Sequence, residues 1–314
     1  MSATFVHVVA GVLRDAHGRV LLAQRPTGKH LAGLWEFPGG KVEPGEQRYA
    51  ALQRELHEEI GVVVNAARPL ISVRHHYPDK SVWLDVWDVE QFAGEPRGRE
   101  NQPLQWLAAD QLSSVSMPDA DVPIVRALRL PEHYAITPEP ISDAQFLADV
   151  ARLLEQGVKL IQLRAKHYPL PQWREMARRA ATLAHQAGAQ VLINTYADWV
   201  NDVGADGVHL TAAQLMQTAA RPLPASTWVA ASCHNAAELA HAGRIGADFA
   251  VLSPVCATRS HPDATPLGWA QFEELLRAVN MPVYALGGVE RRDTSRAREY
   301  GARGIAGISA FFTG

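Results

Sequence analysis

The chain has 314 residues, of which 47% are apolar and 20% are charged, and its net charge is −3. These values are ordinary for a globular protein of two domains, and the charge excludes the basic surface that duplex nucleic acid or an anionic membrane requires. We therefore expect no direct nucleic-acid binding. No run of about eighteen apolar residues is present that could span a membrane. Cys233 and Cys256 are far apart and lack metal-type spacing, which favours a reducing, cytoplasmic location.

The first part of the chain mixes strands and helices. The apolar run 5–13 has no basic region before it and no cleavage-like end, so it predicts a first strand and not a signal peptide. The patterns that follow predict a strand at 20–24, a helix at about 47–60, a hairpin with strands at 71–76 and 82–89, a short strand at 104–107 and a helix at 122–130. This mixture favours an α+β sandwich, and we assign residues 1–130 to it.

Three glutamates share one face of the helix predicted at 47–60. Glu55, Glu58 and Glu59 are spaced i, i+3 and i+4, so their carboxylates fall within about one turn of each other. An aliphatic stripe at 52, 56 and 60 can dock the helix on a core. Clustered carboxylates repel one another unless a cation lies between them, and hard cations such as Mg²⁺ prefer oxygen ligands. The alternative is a solvated acidic face without a ligand.

The residues around this face form a longer pattern. From Gly40 to Val62 the chain reads GKVEPGEQRYAALQRELHEEIGV, which fits G-x5-E-x7-R-E-U-x-E-E-x-G-U, with U aliphatic, at every specified position. This segment resembles the Nudix box, and long motifs with fixed spacing are selective. The runs GLWEFPGGK, YPDK and GEP, which begin at 33, 77 and 94, are similar to the MutT branch of the Nudix hydrolases. Members of that branch remove oxidised guanine nucleotides from the precursor pool.

The resemblance implies a metal site for Mg²⁺, with Mn²⁺ as a substitute. Its ligands would be Glu55, Glu58, Glu59, the carbonyl oxygen of Gly39 and the distant Glu100. Mg²⁺ neutralises triphosphate charge and activates water, so the expected reaction yields a nucleoside monophosphate and pyrophosphate. Glu55 and Glu100 are both candidates for the general base. Arg54 would orient the carboxylates by paired hydrogen bonds, and Glu46 would be a structural group.

The resemblance also implies substrate contacts. They would be Arg25 and His30 at the phosphates, Phe37, Tyr77 and Lys80 at the base, and Lys41. The alternatives are a solvated loop for Arg25 and His30 and a core position for Tyr77. Asp121 stands where the family has an Asn that recognises oxidised guanine. An ionised Asp only accepts hydrogen bonds, which the donors at N1 and N2 of a guanine edge can supply, whereas a protonated Asp in an apolar pocket also donates.

The hydrophobic pattern of the chain changes from residue 134, and three prolines mark a linker at 131–140. Short apolar runs then alternate with amphipathic segments such as 143–156, 173–186 and 236–245. The runs predict eight strands, at 134–136, 160–163, 191–194, 207–210, 228–232, 249–252, 283–286 and 304–308. Alternation of this kind means parallel pairing with right-handed crossovers, and eight repeats favour an α/β (β/α)8 TIM-type barrel. We assign residues 141–314 to this domain, with its first strand at 134–137.

Polar and glycine residues follow several of these strands, where barrel enzymes keep their sites. The candidate ligand residues are Gln162, Arg164, Lys166, Asn194, His234, Gly287, Gly288 and Ser309. The set resembles thiamin-phosphate synthase and its TenI relative over residues 134–310. Two positions depart from the synthase, because Thr195 and Gln214 replace its acidic Mg²⁺ ligands, and neither carries charge for a hard cation. The synthase's Thr-x-Thr-Lys loop is replaced by the run ATRSH from 257.

The resemblances together imply a nucleotide pyrophosphohydrolase joined to a barrel. The expected substrate is 8-oxo-dGTP, in the service of nucleotide-pool sanitation and the avoidance of DNA damage. The alternative is another nucleotide or a thiamin-related diphosphate. For the barrel, the open hypotheses are a thiazole tautomerase that uses His234 and a sensor that binds a phosphorylated small molecule.

Overall fold

The computed structural model describes residues 5–26, 28, 31–194, 197–258 and 264–312. It divides into two compact units, 1–129 and 130–314. In the part of the chain that the structure describes, no helix is long and apolar enough to cross a membrane.

The first unit is a sandwich of two sheets and two helices. Its elements are β1 Phe5–Leu13, β2 Val20–Gln24, β3 Trp35–Glu36, β4 Gly39–Lys41, α1 Arg48–Ile60, β5 Val63–His76, β6 Ser81–Ala93, β7 Leu104–Leu107 and α2 Val122–Arg129. One sheet has the order β4-β1-β6-β5 and the other the order β3-β2-β7. Among the described residues of this unit, β1 and β6 pair in parallel and the other strand pairs are antiparallel. This α+β arrangement agrees with the sequence prediction.

Helix α1 packs on the four-stranded sheet through its aliphatic stripe. Leu52, Leu56 and Ile60 are fully buried against residues of β1 and β6 such as Val9 and Val89. The helix ends at Gly61, whose φ of 77° is left-handed and whose N–H donates to the carbonyl of His57. Burying this stripe leaves the face with Glu55, Glu58 and Glu59 directed away from the core, towards β4.

Strand β5 is longer than the sequence indicates. It begins at Val63, eight residues before the predicted start, and its register with β6 shifts between Val64 and Ala66 and between Pro69 and Ile71. Proline lacks an N–H and is confined to sheet edges and bulges, and β5 is the edge strand of its sheet. The polar residues and the proline of 65–69 therefore interrupt the apolar pattern without ending the strand.

The second unit is a closed barrel of eight parallel strands. Its elements are β8 His133–Ile136, α3 Asp143–Glu155, β9 Leu160–Leu163, α4 Leu170–Gln186, β10 Gln190–Ile193, α5 Trp199–Val203, β11 Gly207–Leu210, α6 Ala212–Gln217, β12 Trp228–Cys233, α7 Ala236–Arg244, β13 Phe249–Leu252, α8 Gly268–Leu276, β14 Val283–Leu286, α9 Thr294–Glu299, β15 Gly304–Gly307 and α10 Ser309–Phe312. The predicted TIM-type barrel is confirmed.

Alternate residues of each barrel strand point to opposite sides. Tyr134, Phe249 and Tyr284 meet inside the barrel, whereas neighbours such as Ala135 and Ala250 face the helices. The predicted linker at 131–140 needs correction, since His133–Ile136 is a barrel strand and Leu130 is already buried with the interior cluster. The prolines at 131 and 138 flank this strand, and they punctuate the pattern without forming a separate linker.

Candidate active site

A pocket of about 400 Å³ opens in the first unit, and this volume is within the usual range for small-molecule sites. It is lined by most of the residues predicted to bind metal or nucleotide: Arg25, Phe37, Gly39, Lys41, Glu55, Glu58, Glu59, Tyr77, Lys80, Glu100 and Asp121. His30 lies outside the described residues. Arg54 lies behind the pocket, among the carboxylates. Residues from four strands, from α1 and from several connecting segments thus converge on one cavity.

Arg54 joins the acidic residues of the Nudix box. Its Nε and Nη2 donate to both oxygens of Glu46 at 2.9 and 2.8 Å. Its Nη1 donates to Glu55 at 2.8 Å and to Glu58 at 3.2 Å, and Nη2 also donates to the carbonyl of Lys41 at 3.0 Å. Hydrogen bonds from Arg54 lower the pKa of Glu46 to about 2. One guanidinium therefore fixes three carboxylates and ties them to β4.

The glycines of β4 leave room for the carboxylates. The N–H of Gly39 donates to Glu59 at 2.7 Å. A Cβ on Gly40 would collide with the carboxylate of Glu55, and one on Gly39 would collide with the carbonyl of Val9 on β1. Only glycine at 40 lets the strand backbone approach the helix this closely.

The loop that carries Glu100 is held by the end of α1. The N–H groups of Arg97 and Arg99 donate to the carbonyls of Ile60 and Glu59 at 2.9 and 3.0 Å, which satisfies carbonyls that the helix itself leaves without partners. Gln102 is buried; its Nε2 donates to the Glu59 carbonyl at 3.0 Å, and its Oε1 accepts from the N–H of Glu100 at 2.8 Å. Gln102 therefore positions Glu100 relative to Glu59, a role that the sequence did not reveal.

The carboxylates form a donor set that suits a hard divalent cation. Burial raises the pKa of Glu59 to about 7, and the charges of Glu36, Glu100 and Glu55 also raise it. The hydrogen bond from the N–H of Gly39 acts in the opposite direction and lowers this pKa. In the described residues, no three His, Cys, Asp or Glu side chains already enclose a metal position. Arg54 and the Gly39 N–H instead hold several of the oxygens. Chemistry and proximity fit a cation, which would have to draw these oxygens from their present partners.

The same pocket is lined by the residues predicted to contact the base. Asp121 ends the short 3-10 helix Asp119–Asp121 and is 4% exposed. Burial raises its pKa well above the usual range, Glu36 raises it further, and Arg25 opposes both. The phenol oxygen of Tyr77 accepts from the N–H of Ala120, and burial raises the pKa of Tyr77. Phe37 is buried in the core behind the pocket while also lining it.

Glu36 is a pocket residue that the sequence analysis did not single out. Its carboxylate forms an ion pair with Arg25, and its charge acts on both Asp121 and Glu59. It lies in the run GLWEFPGGK, and the antiparallel pairing of Ala23 with Glu36 sets it beside Arg25. The signal was therefore present, since adjacent strands bring an acidic and a basic residue together.

In the barrel, inward-facing polar residues form one hydrogen-bonded row. Asn194 donates to Gln162 at 2.8 Å, and Gln162 donates to the hydroxyl of Tyr134 at 3.2 Å. Nδ1 of His209 lies 3.1 Å from the Tyr134 hydroxyl, and its Nε2 lies 2.8 Å from the Ser232 hydroxyl. Burial lowers the pKa of His209 to about 3, so this imidazole is neutral. The row adds three residues to the predicted set: His209, Tyr134 and Ser232. Because successive side chains of a strand point to opposite faces, their positions along the strands could have indicated that they face the barrel interior.

The other predicted barrel residues lie outside this row. Nδ1 of His234 is 2.8 Å from the carbonyl oxygen of Ser253, and the backbone N–H of His234 donates to the carboxylate of Glu238. Gly287 and Gly288 have φ of 91° and 67°, and a Cβ on Gly288 would strike the backbone at Cys256 and Ala257. Ser309 begins α10. Arg164 and Lys166 follow β9.

Gln214 caps the N-terminus of α6 in the barrel. Its Oε1 accepts from the N–H of Thr211 at 3.1 Å and its N–H donates to the Thr211 hydroxyl at 3.2 Å, a capping box that starts α6. The side chain of Gln214 therefore caps the start of α6. It also carries no charge with which to bind a cation. Thr195 and residues 259–261 of the loop after β13 lie outside the described residues.

The NUDIX domain family matches residues 9–127 and the thiamine monophosphate synthase family matches residues 133–311. An 8-oxo-dGTP diphosphatase of Escherichia coli (strain K12) is 32% identical over 124 residues, 40% of this chain and 96% of the relative. A CTP pyrophosphohydrolase of the same strain is 37% identical over 122 residues, 39% of this chain and 90% of the relative. A thiamine-phosphate synthase of Methanoculleus marisnigri (strain ATCC 35101 / DSM 1498 / JR1) is 36% identical over 180 residues, 56% of this chain and 85% of the relative.

These matches fall on the two units separately and agree with the carboxylate pocket of the first and the parallel barrel of the second. The chain therefore belongs to both families, with a Nudix unit that is a hydrolase of phosphoric anhydrides in nucleotides and a barrel of the thiamine monophosphate synthase family.

Proposed function

We propose that the Nudix unit is a Mg²⁺-dependent pyrophosphohydrolase that converts 8-oxo-dGTP to 8-oxo-dGMP and pyrophosphate, and so cleans the nucleotide pool. One observation carries this proposal: a single cavity is lined both by the clustered carboxylates and by the buried Asp121. When bound, the cation would neutralise phosphate charge and lower the pKa of water. Glu55, Glu58, Glu59, Glu100 and the Gly39 carbonyl would hold it.

The chain's own residues would divide the remaining work. Arg25 would meet the phosphates, with Glu36 fixing its guanidinium. Glu55 or Glu100 would take the proton of the attacking water as the phosphoric anhydride breaks and pyrophosphate leaves. Tyr77 and Phe37 would flank the base. Asp121 is held in conditions that favour its protonated form, in which it donates and accepts hydrogen bonds as the family's Asn does.

A cytidine nucleotide is the second candidate substrate. The CTP pyrophosphohydrolase is about as similar to the Nudix unit as the 8-oxo-dGTP diphosphatase is. The amino group at position 4 of cytosine is a donor, and an ionised carboxylate is an acceptor for it. A comparison of kcat/KM for 8-oxo-dGTP and CTP therefore distinguishes the two candidates.

For the barrel, we propose a thiazole phosphate tautomerase in which His234 moves the proton. The contact of Nδ1 with the Ser253 carbonyl requires a proton on Nδ1, which leaves the lone pair of a neutral imidazole on Nε2. His234 is exposed at the mouth of the barrel, where Nε2 can accept a proton from one carbon of a substrate and return it to another. Binding without turnover would instead favour the sensor.

The carboxylate site is tested with Glu55→Gln, which keeps the shape of the side chain and removes its charge. We expect kcat for 8-oxo-dGTP to fall by about 10²–10⁴-fold, the usual contribution of a general base. Pyrophosphate release with Mg²⁺ measures it, and Glu155→Gln, at the exposed end of α3, is the matched control. Unchanged turnover of 8-oxo-dGTP, dGTP and CTP by Glu55→Gln would contradict the assignment. Parallel analysis of Glu100→Gln compares the two candidate bases.

Gly40→Ala tests the close approach of β4 to the catalytic helix. The added Cβ displaces the flexible end of Glu55 and leaves the core untouched, so the fold should persist. We expect kcat to fall by at least about tenfold, because small displacements of catalytic groups are costly. The control is Gly243→Ala in α7, where an added Cβ meets nothing within 4 Å. Equal kcat for the two variants would show that the position of Glu55 is unimportant.

The raised pKa of Asp121 predicts a pH dependence of base recognition. Below this pKa the carboxyl is protonated and can donate; above it, the carboxylate only accepts. We therefore expect KM for 8-oxo-dGTP to rise as pH increases through the pKa, because the carboxylate can no longer donate a hydrogen bond to the base. Asp121→Asn cannot titrate and should flatten the KM profile for 8-oxo-dGTP. Parallel profiles for Asp121→Asn and the unaltered protein would rule out Asp121 as the base-reading group.

The tautomerase proposal is tested with His234→Ala in the full chain. We expect loss of thiazole phosphate tautomerisation, followed by NMR of the substrate, with pyrophosphate release by the Nudix unit unchanged. His241→Ala, on α7, serves as the control histidine. Tautomerisation that persists in His234→Ala would exclude this histidine as the proton carrier. Thermal shifts with thiamin precursors but no turnover by any form would identify the sensor.

A further inference from the structure

The loops after β8 and β9 meet at the mouth of the barrel. The hydroxyl of Thr137 accepts from the N–H of Arg164 at 2.9 Å, which holds the two loops together. In this arrangement the N–H groups of Lys166 and His167 point towards the same carboxylate. Neither belongs to a helix, since α4 starts at Leu170. Consecutive backbone N–H groups beside a guanidinium make a concave site for an anion.

That carboxylate belongs to Glu139. Its Oε1 accepts from the N–H of Lys166 at 2.8 Å and from that of His167 at 2.8 Å, and Oε2 accepts from Lys166 at 3.1 Å. Nη1 of Arg164 lies 3.6 Å from Oε2. These contacts resemble those of a bound anion, except that the anion is part of the chain.

The sequence around Glu139 restricts its backbone. Pro138 and Pro140 flank it, and a residue that precedes proline is restricted to extended backbone conformations. The side chain is only half-buried, as is that of Arg164. A ligand can therefore reach this site from solvent if Glu139 leaves it. Little conformational entropy is lost when a preorganised segment makes such contacts.

We propose that the N–H groups of Lys166 and His167 and the guanidinium of Arg164 form an oxyanion site that Glu139 occupies as an internal competitor. A phosphate or diphosphate group that enters the mouth must displace Glu139 before it can bind there. The barrel is thus held in a self-occupied state that weakens its affinity for anionic ligands. This inference extends the proposed binding of a phosphorylated ligand by the barrel, and it does not require turnover.

The test is calorimetric titration of the full chain with inorganic pyrophosphate in EDTA, so that metal-dependent binding does not contribute. We expect Glu139→Ala to bind pyrophosphate at least about tenfold more tightly than the unaltered protein. This gain corresponds to a site that Glu139 leaves open for about a tenth of the time in the unaltered protein. Glu155→Ala makes the same charge change at the opposite end of the barrel and should leave affinity unchanged. Glu139→Ala combined with Arg164→Met should lose the gain.

Affinity of Glu139→Ala equal to or weaker than that of the unaltered protein would overturn the proposal. So would a gain that survives Arg164→Met, because the anion would then bind elsewhere. If Glu139→Ala does not fold, Glu139→Gln replaces it; this variant keeps the hydrogen-bond acceptor, removes the charge and should bind more tightly by a smaller factor. Equal affinity for Glu139→Gln would then overturn the proposal. Nucleotide hydrolysis and tautomerisation are assayed separately, so their failure leaves this result interpretable.

Discussion

The repulsion among neighbouring carboxylates is the constraint on which the Nudix unit depends. Arg54 answers it by donating to Glu46, Glu55 and Glu58, and by tying them to the carbonyl of Lys41. Charge-assisted hydrogen bonds of this kind are stronger than neutral ones. Glu59 is left to the N–H of Gly39, and its pKa is raised first by burial and then by the charges of Glu36, Glu100 and Glu55. The site is therefore assembled but electrostatically unsatisfied, which is the condition that favours a cation.

The geometry of that site is set by backbone groups as much as by side chains. The carbonyls at the end of α1 have no partners within the helix, and the loop before β7 supplies its N–H groups to them. Gln102 completes the connection between Glu59 and Glu100. A helix end thus determines where a residue some forty positions later stands. Glu55, in the middle of the same helix, is positioned instead by the space that Gly40 leaves.

The sequence carried the parts of this molecule that have a periodic or fixed-spacing signal. The Nudix box and the barrel strands such as Leu160–Leu163 and Phe249–Leu252 lie where their patterns predict. Contacts between distant segments had no such signal. The connection of Glu59 to Glu100 through Gln102 and the occupation of the barrel loop by Glu139 depend on tertiary geometry. The roles proposed for the pocket residues likewise stay predictions, because proximity alone does not assign chemistry.

Both units place an internal ion where a ligand would bind. In the Nudix unit, the guanidinium of Arg54 engages the carboxylates that would hold a cation. In the barrel, the carboxylate of Glu139 engages N–H groups that would hold an anion. Each pair satisfies hydrogen-bonding groups of its site in the absence of a ligand. The same pairs weaken binding by the free energy needed to open them, since only the open fraction of a site can accept a ligand. Under the two proposals, a ligand must carry a charge of the same sign as the internal ion that it replaces.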